Sequence, residues 1–201
     1  MMNEAKEHIL RTSLLLFLQK SYKEVTMREI VEKTALSKGA FYHYFSSKEQ
    51  LFKEIVLMFF SMGAMDYSSF PIKSLKRFID EYLKRIDQSF VQINQMMGNE
   101  SKGDVSFNFF FIMFDAMKRF PEMMILEEQQ YKNDLKVWES VINEAKAVGE
   151  IHSSTSNKEI ANLFLYCTDG VFIRVVNTEK KVKYKDQLKK AFYSIYDNLK
   201  G

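Results

Sequence analysis

An all-α fold follows from three features of the sequence. Proline and glycine are scarce, 2 and 7 in 201 residues, so few positions break a helix. Apolar residues recur at helical spacing through most of the chain, separated by Lys, Glu and Gln. Ser and Thr stand where such stretches begin, as in Thr26-Met27-Arg28-Glu29 and Ser46-Ser47-Lys48-Glu49, where a hydroxyl accepts from free backbone N–H groups. With 46% hydrophobic and 27% charged residues, the chain has apolar material for a sizeable core. Its length suits one ordinary domain or two small ones.

The first helix is predicted from Asn3 to Lys20, with Ile9, Ser13, Leu16 and Phe17 on one face, and the polar stretch Ser21 to Val25 ends it. Thr26 and Glu29 form a capping box for a second helix, whose apolar stripe is Met27, Ile30, Val31 and Ala35. After a tight connection at Ala35 and Leu36, Ser37 caps a third, very short helix. That helix crowds Phe41, Tyr42, His43, Tyr44 and Phe45 together. Helical spacing divides them: Phe41 and Phe45 inward, Tyr42 and His43 outward, Tyr44 at the boundary. So short a helix cannot hold itself in water, so the inward phenylalanines must anchor it. A fourth helix restarts at Ser46 to Glu49 and carries Leu51, Phe52, Ile55, Val56 and Phe59. Two short capped helices joined by a tight turn are the sequence form of a helix-turn-helix.

Beyond Phe60 the chain reads as a separate helical unit. Tyr67 to Pro71 is a loop, and a helix begins near Pro71 and reaches Met97. Gly98 to Gly103 is a polar connection. A helix from Asp104 to Arg119 stops at Pro121, and the next runs from Glu122 to Val148 before Gly149. Ser156 or Asn157 caps a helix reaching Asn177, and the last spans Lys183 to Lys200. The division expected is residues 1–47 for a DNA-binding domain and 48–201 for a larger helical domain.

The segments T-M-R-E-I, L-S-K-G-A-F-Y-H-Y-F and S-K-E-Q-L-F, in that order between Thr26 and Phe52, resemble the DNA-binding region of TetR-family transcriptional repressors. Ala35 stands where that family often has glycine, and Tyr44 where histidine is frequent. The resemblance implies an N-terminal three-helix DNA-binding unit followed by a ligand-binding and dimerisation domain. It also implies phosphate contacts for Thr26, Tyr42, Tyr44 and Lys48, and base-edge contacts for Arg28, Lys38, Ala40 and His43. The residues support this in their own right. Thr26 and Ser37 sit at helix N-termini, where free N–H groups favour phosphate, and phenolic hydroxyls donate to phosphate oxygens. Gly39 permits close approach of a helix or of DNA, and Arg28 and Lys38 suit guanine O6 and N7. Taken singly, Lys48 or His43 would be an ordinary surface residue; inside a capped helix-turn-helix they point to a duplex.

In the larger domain, Phe107, Phe110, Phe111 and Phe114 share one face of a helix that is apolar almost all round, with Met117 and Trp138 near in sequence. Such a helix is either the centre of a core or the wall of an adaptable apolar pocket. Ile160, Leu163, Phe164, Cys167, Val171 and Val175 stripe the penultimate helix, and the last carries another stripe. Two adjacent helices with excess apolar surface fit a homodimer, and the resemblance adds Asp169-Gly170 as a pair common in the family's dimer-forming helix. The lysine-rich run from Lys180 to Lys190 reads as the solvated side of the last helix.

No H-E-x-x-H, P-loop or G-x-S-x-G is present, and His8, His43 and His152 make no metal motif, so neither an enzyme, a cofactor nor a metal is expected. A single cysteine excludes an internal disulfide framework and fits a cytoplasmic protein. The uncharged stretch Ile55 to Met65 is far short of the roughly 20 residues of a membrane-spanning helix, and the run Leu14 to Leu18 is too short for a secretory signal. The reading is a transcriptional repressor, released from a near-palindromic duplex operator by a small apolar or aromatic ligand. The alternative is a helical interaction module, or a regulator controlled by a protein partner.

Overall fold

The computed structural model describes residues 4–97, 105–176 and 184–200, without the side chains of 62, 90, 93–97, 105–111 and 176. Within them all regular structure is helical: α1 Glu4–Gln19, α2 Met27–Thr34, α3 Lys38–Tyr44, α4 Lys48–Gly63, α5 Leu75–Met97, α6 Val105–Arg119, α7 Glu122–Ala147, α8 Asn157–Val176 and α9 Tyr184–Lys200. The connection expected at Gly98 to Gly103 and the segment Asn177 to Lys183 lie outside the described residues.

The chain divides into two compact units, each built from separate stretches of sequence. The first is Met1–Ala64 with Gln92–Ile125, and the second is Met65–Val91 with Leu126–Gly201. The first unit runs past residue 47 because α4 and α6 complete its core. Ile9, Leu14 and Phe17 of α1 are buried with Ile30 of α2, Phe41 of α3, and Phe52 and Ile55 of α4. Ile112 and Ala116 of α6, with Phe120 just after it, belong to the same cluster. An apolar side chain is stabilised by about 1.5–3 kcal/mol on full burial, so α4 and α6 are as much part of this unit as the three helices before them.

Local chemistry places the helix ends. Thr26 accepts from the Glu29 N–H at 3.1 Å, and Ser37 from the Ala40 N–H at 3.2 Å. The Thr26 box is only half made, because the Glu29 carboxylate turns away to Lys20. A full box forms at Ser156, which caps α8: its hydroxyl accepts from the Glu159 N–H at 3.2 Å, and the Glu159 carboxylate accepts from the Ser156 N–H at 3.1 Å. α5 starts later than Pro71 because Glu150, from the turn after α7, caps it in space. The Glu150 carboxylate accepts from the Leu75 N–H at 3.0 Å and the Lys76 N–H at 2.8 Å.

Ala35 departs from its expected place in the α2 stripe. It is exposed and takes the left-handed conformation, φ 54°, that ends α2, while Thr34 is buried instead. A Cβ disfavours that conformation. Ala35→Gly is therefore expected to be neutral or to stabilise by up to about 1 kcal/mol, since the relieved strain exceeds the added chain entropy. Thermal melts of the two proteins would check it, and a clear loss of stability would contradict it.

The second unit packs around Trp138, which is fully buried with its ring 4.8 Å from Phe78, 5.2 Å from Tyr82 and 4.7 Å from Phe164. α8 and α9 pack together, and α8 leaves Leu163, Tyr166 and Ile173 exposed. No helix among the described residues is long and apolar enough to cross a membrane.

Candidate nucleic-acid interface

α3 divides its rings as helical spacing predicts. Phe41 and Phe45 are fully buried, Tyr42 and His43 are exposed, and Tyr44 is half-buried. The buried pair stands 6.4 Å apart and locks α3 to the core, so the backbone presents the intervening residues outward. A rigid support of this kind is what a seven-residue helix needs, because it has too few internal hydrogen bonds to persist alone.

The exposed set comprises Thr26, Arg28, Ser37, Lys38, Gly39, Ala40, Tyr42 and His43. Arg28 is 86% exposed and holds the Glu32 carboxylate at 2.8 Å, a surface pair of small energetic weight that a guanine or phosphate can displace. No protein atom approaches within 4 Å of a Cβ built on Gly39. The helix-packing reason for that glycine is thereby removed, and the open space faces away from the protein.

Lys48 is placed differently from the others. It is half-buried, and its ammonium donates to the carbonyls of Tyr22 at 2.8 Å and Val25 at 2.7 Å while lying 4.3 Å from the Tyr22 ring centre. Burial, reinforced by nearby Arg119, pushes its pKa below the usual lysine value. Two of its three donors are thus engaged by the loop between α1 and α2, leaving one for a phosphate. The Arg119 guanidinium covers the same Tyr22 ring at 3.8 Å. Tyr22 therefore joins the start of α4 and the end of α6 through two cations, each such contact being favourable by about 0.5–2 kcal/mol. His8 adds a further tie, its Nε2 standing 3.0 Å from the Thr34 carbonyl. Sequence spacing showed neither, since the partners are far apart along the chain.

The residues expected to hold a ligand are divided between the two units. Phe107, Phe110 and Phe111 lie on α6, but their side chains are outside the described residues. Phe114 is two-thirds exposed and Met117 is half-buried, both in the first unit. Trp138 belongs to the core of the other unit, because its large ring fills the space among Phe78, Tyr82, Phe164 and Phe192. Within the first unit, an open cavity of about 430 Å³ lies beside α6, lined by Phe17, Tyr22, Phe52, Ile112 and Phe114 with Asp115 and Lys118.

Residues 9–55 match the family described as bacterial regulatory proteins, tetR family. The HTH-type transcriptional regulator YerO of Bacillus subtilis is 50% identical over 50 residues, which are 25% of this chain and 17% of that protein. The biofilm operon negative transcriptional regulator IcaR of Staphylococcus aureus is 23% identical over 100 residues, 47% of this chain and 54% of that one. The chain thus spans about half or less of the length of these relatives. Among solved structures, Escherichia coli NemR in its reduced form aligns with a TM-score of 0.61 at 16% identity, covering 98% of both chains. NalD, the secondary repressor of the MexAB-OprM multidrug efflux pump in Pseudomonas aeruginosa, aligns with a TM-score of 0.62 at 15% identity, covering 98% of this chain and 95% of that one. Residues 9–55 thus match the tetR family of bacterial regulatory proteins, and the chain shares the fold of these solved structures over nearly its whole length.

Proposed function

We propose that the protein is a transcriptional repressor that binds a near-palindromic duplex operator as a homodimer. The observation that carries this is α3, anchored by two fully buried phenylalanines while Lys38, Gly39, Tyr42 and His43 stand exposed. Thr26, Tyr42, Tyr44 and the remaining donor of Lys48 meet phosphates; Arg28, Lys38, Ala40 and His43 approach base edges. IcaR is a negative regulator and NalD a repressor, which favours repression. The exposed Leu163, Tyr166 and Ile173 on α8, beside α9, fit the subunit interface, and two-fold symmetry then sets two half-sites. The protein works in the cytoplasm, where the duplex is.

A small apolar or aromatic ligand releases the protein. Its seat is the ring-bearing face of α6, with Phe107, Phe110, Phe111, Phe114 and Met117; Phe114 also lines the cavity beside α6, whose volume suits a drug-sized molecule. α6 shares its core with α4 and meets the α1–α2 loop through Arg119 and Tyr22. A shift of α6 therefore acts on the reading helices, provided the ligand prefers the released state.

Selection of bound duplexes from a random pool, followed by affinity measurement across salt concentrations, tests the reading. Gly39→Ala is expected to leave thermal stability unchanged or slightly raised, since the site has room and alanine is the better helix former by up to about 1 kcal/mol. Operator affinity should nevertheless fall, because the added methyl occupies space reserved for DNA. Tyr42→Phe should weaken binding to all duplexes alike, while Arg28→Ala and Lys38→Ala alter preference at particular bases by about 1–3 kcal/mol. A protein that selects no duplex, with a salt slope near zero, would overturn the proposal and favour the interaction module.

A further inference from the structure

On α2 stands an exposed ion pair that neither helix stability nor duplex affinity explains. Arg28 donates through Nε to the Glu32 carboxylate at 2.8 Å, one helical turn along the same face. Among the described residues neither side chain has another hydrogen-bond or ion-pair partner. α2 runs only from Met27 to Thr34, so Arg28 lies in its first turn and Glu32 in its last. Both charges therefore oppose the helix dipole, which favours acids at the start of a helix and bases at its end. The order, base before acid, is also the weaker of the two for a pair four residues apart. A carboxylate on a face that meets a duplex repels phosphates as well. On each count Glu32 is unfavourable where it stands, unless it acts on Arg28.

What it does to Arg28 follows from the donors of a guanidinium. That group has one N–H on Nε and two on each terminal nitrogen, all in one plane. With Nε engaged, the edge left free is the one between Nη1 and Nη2, and its parallel donors match guanine O6 and N7. A guanine met in this way need not displace Glu32. The pair also restricts a long side chain before it reaches a base, which lessens the entropy lost on binding. The helix beneath is steady: Ile30 is fully buried, Val31 and Thr34 are buried, and Thr26 caps it by accepting from the Glu29 N–H at 3.1 Å. Glu32 thus holds Arg28 from a fixed support.

We propose that Glu32 is a positioning residue for base readout, keeping Nε of Arg28 occupied so that Nη1 and Nη2 are directed to one guanine. This rests on the reading of the protein as a duplex-binding regulator with Arg28 at a base edge.

The test compares Glu32→Ala and Glu32→Gln with the parent, each as the full chain. Duplexes are selected from a random pool with the parent, and the base pair whose preference disappears in Arg28→Ala marks the Arg28 contact. At that pair, discrimination of guanine from adenine should fall about two- to fivefold in Glu32→Ala, the scale of an exposed ion pair. Glu32→Gln keeps an oxygen that accepts from Nε, so its fall should be smaller. Affinity for an unrelated duplex should instead rise, and equally in both variants, because each loses the same negative charge. In an Arg28→Ala background that rise should persist, while Glu32→Ala no longer alters any base preference. Melting temperatures should match or exceed that of the parent, since the lost charge opposed the helix dipole and alanine and glutamine are good helix formers. Lost discrimination is thereby separated from lost fold. Unchanged discrimination in Glu32→Ala, or an equal change of base preference in the Arg28→Ala background, would overturn the proposal. If the parent selects a duplex yet Arg28→Ala leaves every preference intact, the proposal falls and the repressor reading stands; if the parent selects no duplex, both fall.

Discussion

Phe41→Ala is expected to cost about 3–5 kcal/mol and to abolish duplex binding. Phe41 is fully buried on a helix of seven residues, its ring centre 6.4 Å from that of Phe45, while every other residue of the helix except the half-buried Tyr44 is exposed. Removing it leaves a cavity under a short element then anchored by Phe45 alone, so the loss falls on position as well as on stability. Typical domains have only about 5–15 kcal/mol in total. Chemical denaturation followed by circular dichroism, with duplex affinity in parallel, measures both. His43→Ala is the control: it is exposed on the same helix, and its stability should change by less than about 0.5 kcal/mol. A Phe41→Ala protein with parental affinity would show that α3 does not need its anchor.

Trp138→Ala should destabilise the second unit by about 3–5 kcal/mol, a fall in melting temperature of roughly 10 °C. Its ring meets Phe78, Tyr82, Phe164 and Phe192 edge-on or stacked, at 4.7–5.8 Å between centres. These neighbours lie on α5, α8 and α9, so one truncation loosens the packing of three helices against α7, leaving Val141, Ile142 and Ala145 to hold them. Trp138→Phe keeps most of the volume and should recover the greater part of the loss, as volume-conserving changes in a core do. Far-ultraviolet circular dichroism on heating distinguishes the three proteins. A small effect for Trp138→Ala would mean that the core collapses around the gap.

The order of helices and the division of rings on α3 were legible because both depend on residues close in sequence. A hydroxyl three positions from an N–H, or two phenylalanines four apart, is fixed by helix geometry alone. Ala35 was half legible. Its place at the end of α2 matches a position where glycine is frequent in the family, but periodicity also offered it to the buried stripe, and Thr34 took that place. The Glu150 cap of α5 was not legible, since its partners at Ser74, Leu75 and Lys76 are brought to it by the tertiary fold. Lys48 shows the same limit in the candidate site. The resemblance assigns it to a phosphate, yet the carbonyls that occupy two of its donors belong to Tyr22 and Val25. Trp138 was read with the α6 phenylalanines because it is apolar and near in sequence, while its packing partners come from both ends of the second unit.

The core of the first unit closes only when α6 and the turn at Phe120 are present, because Phe120 lies 6.2 Å from Phe52 and Arg119 covers Tyr22. For anyone building hybrid regulators, that turns a question of taste into one of architecture. A chimera joined after Ala64 would carry the DNA-reading surface intact and leave Ile112, Ala116, Phe120 and Met123 behind in the discarded part. Whatever helix the new host offers in their place has to match those four side chains in shape. Exchange of specificity between such proteins is therefore governed less by the residues that read bases than by the fit of a helix more than forty positions farther along the chain, and a transplant that includes Gln92–Ile125 carries that fit with it.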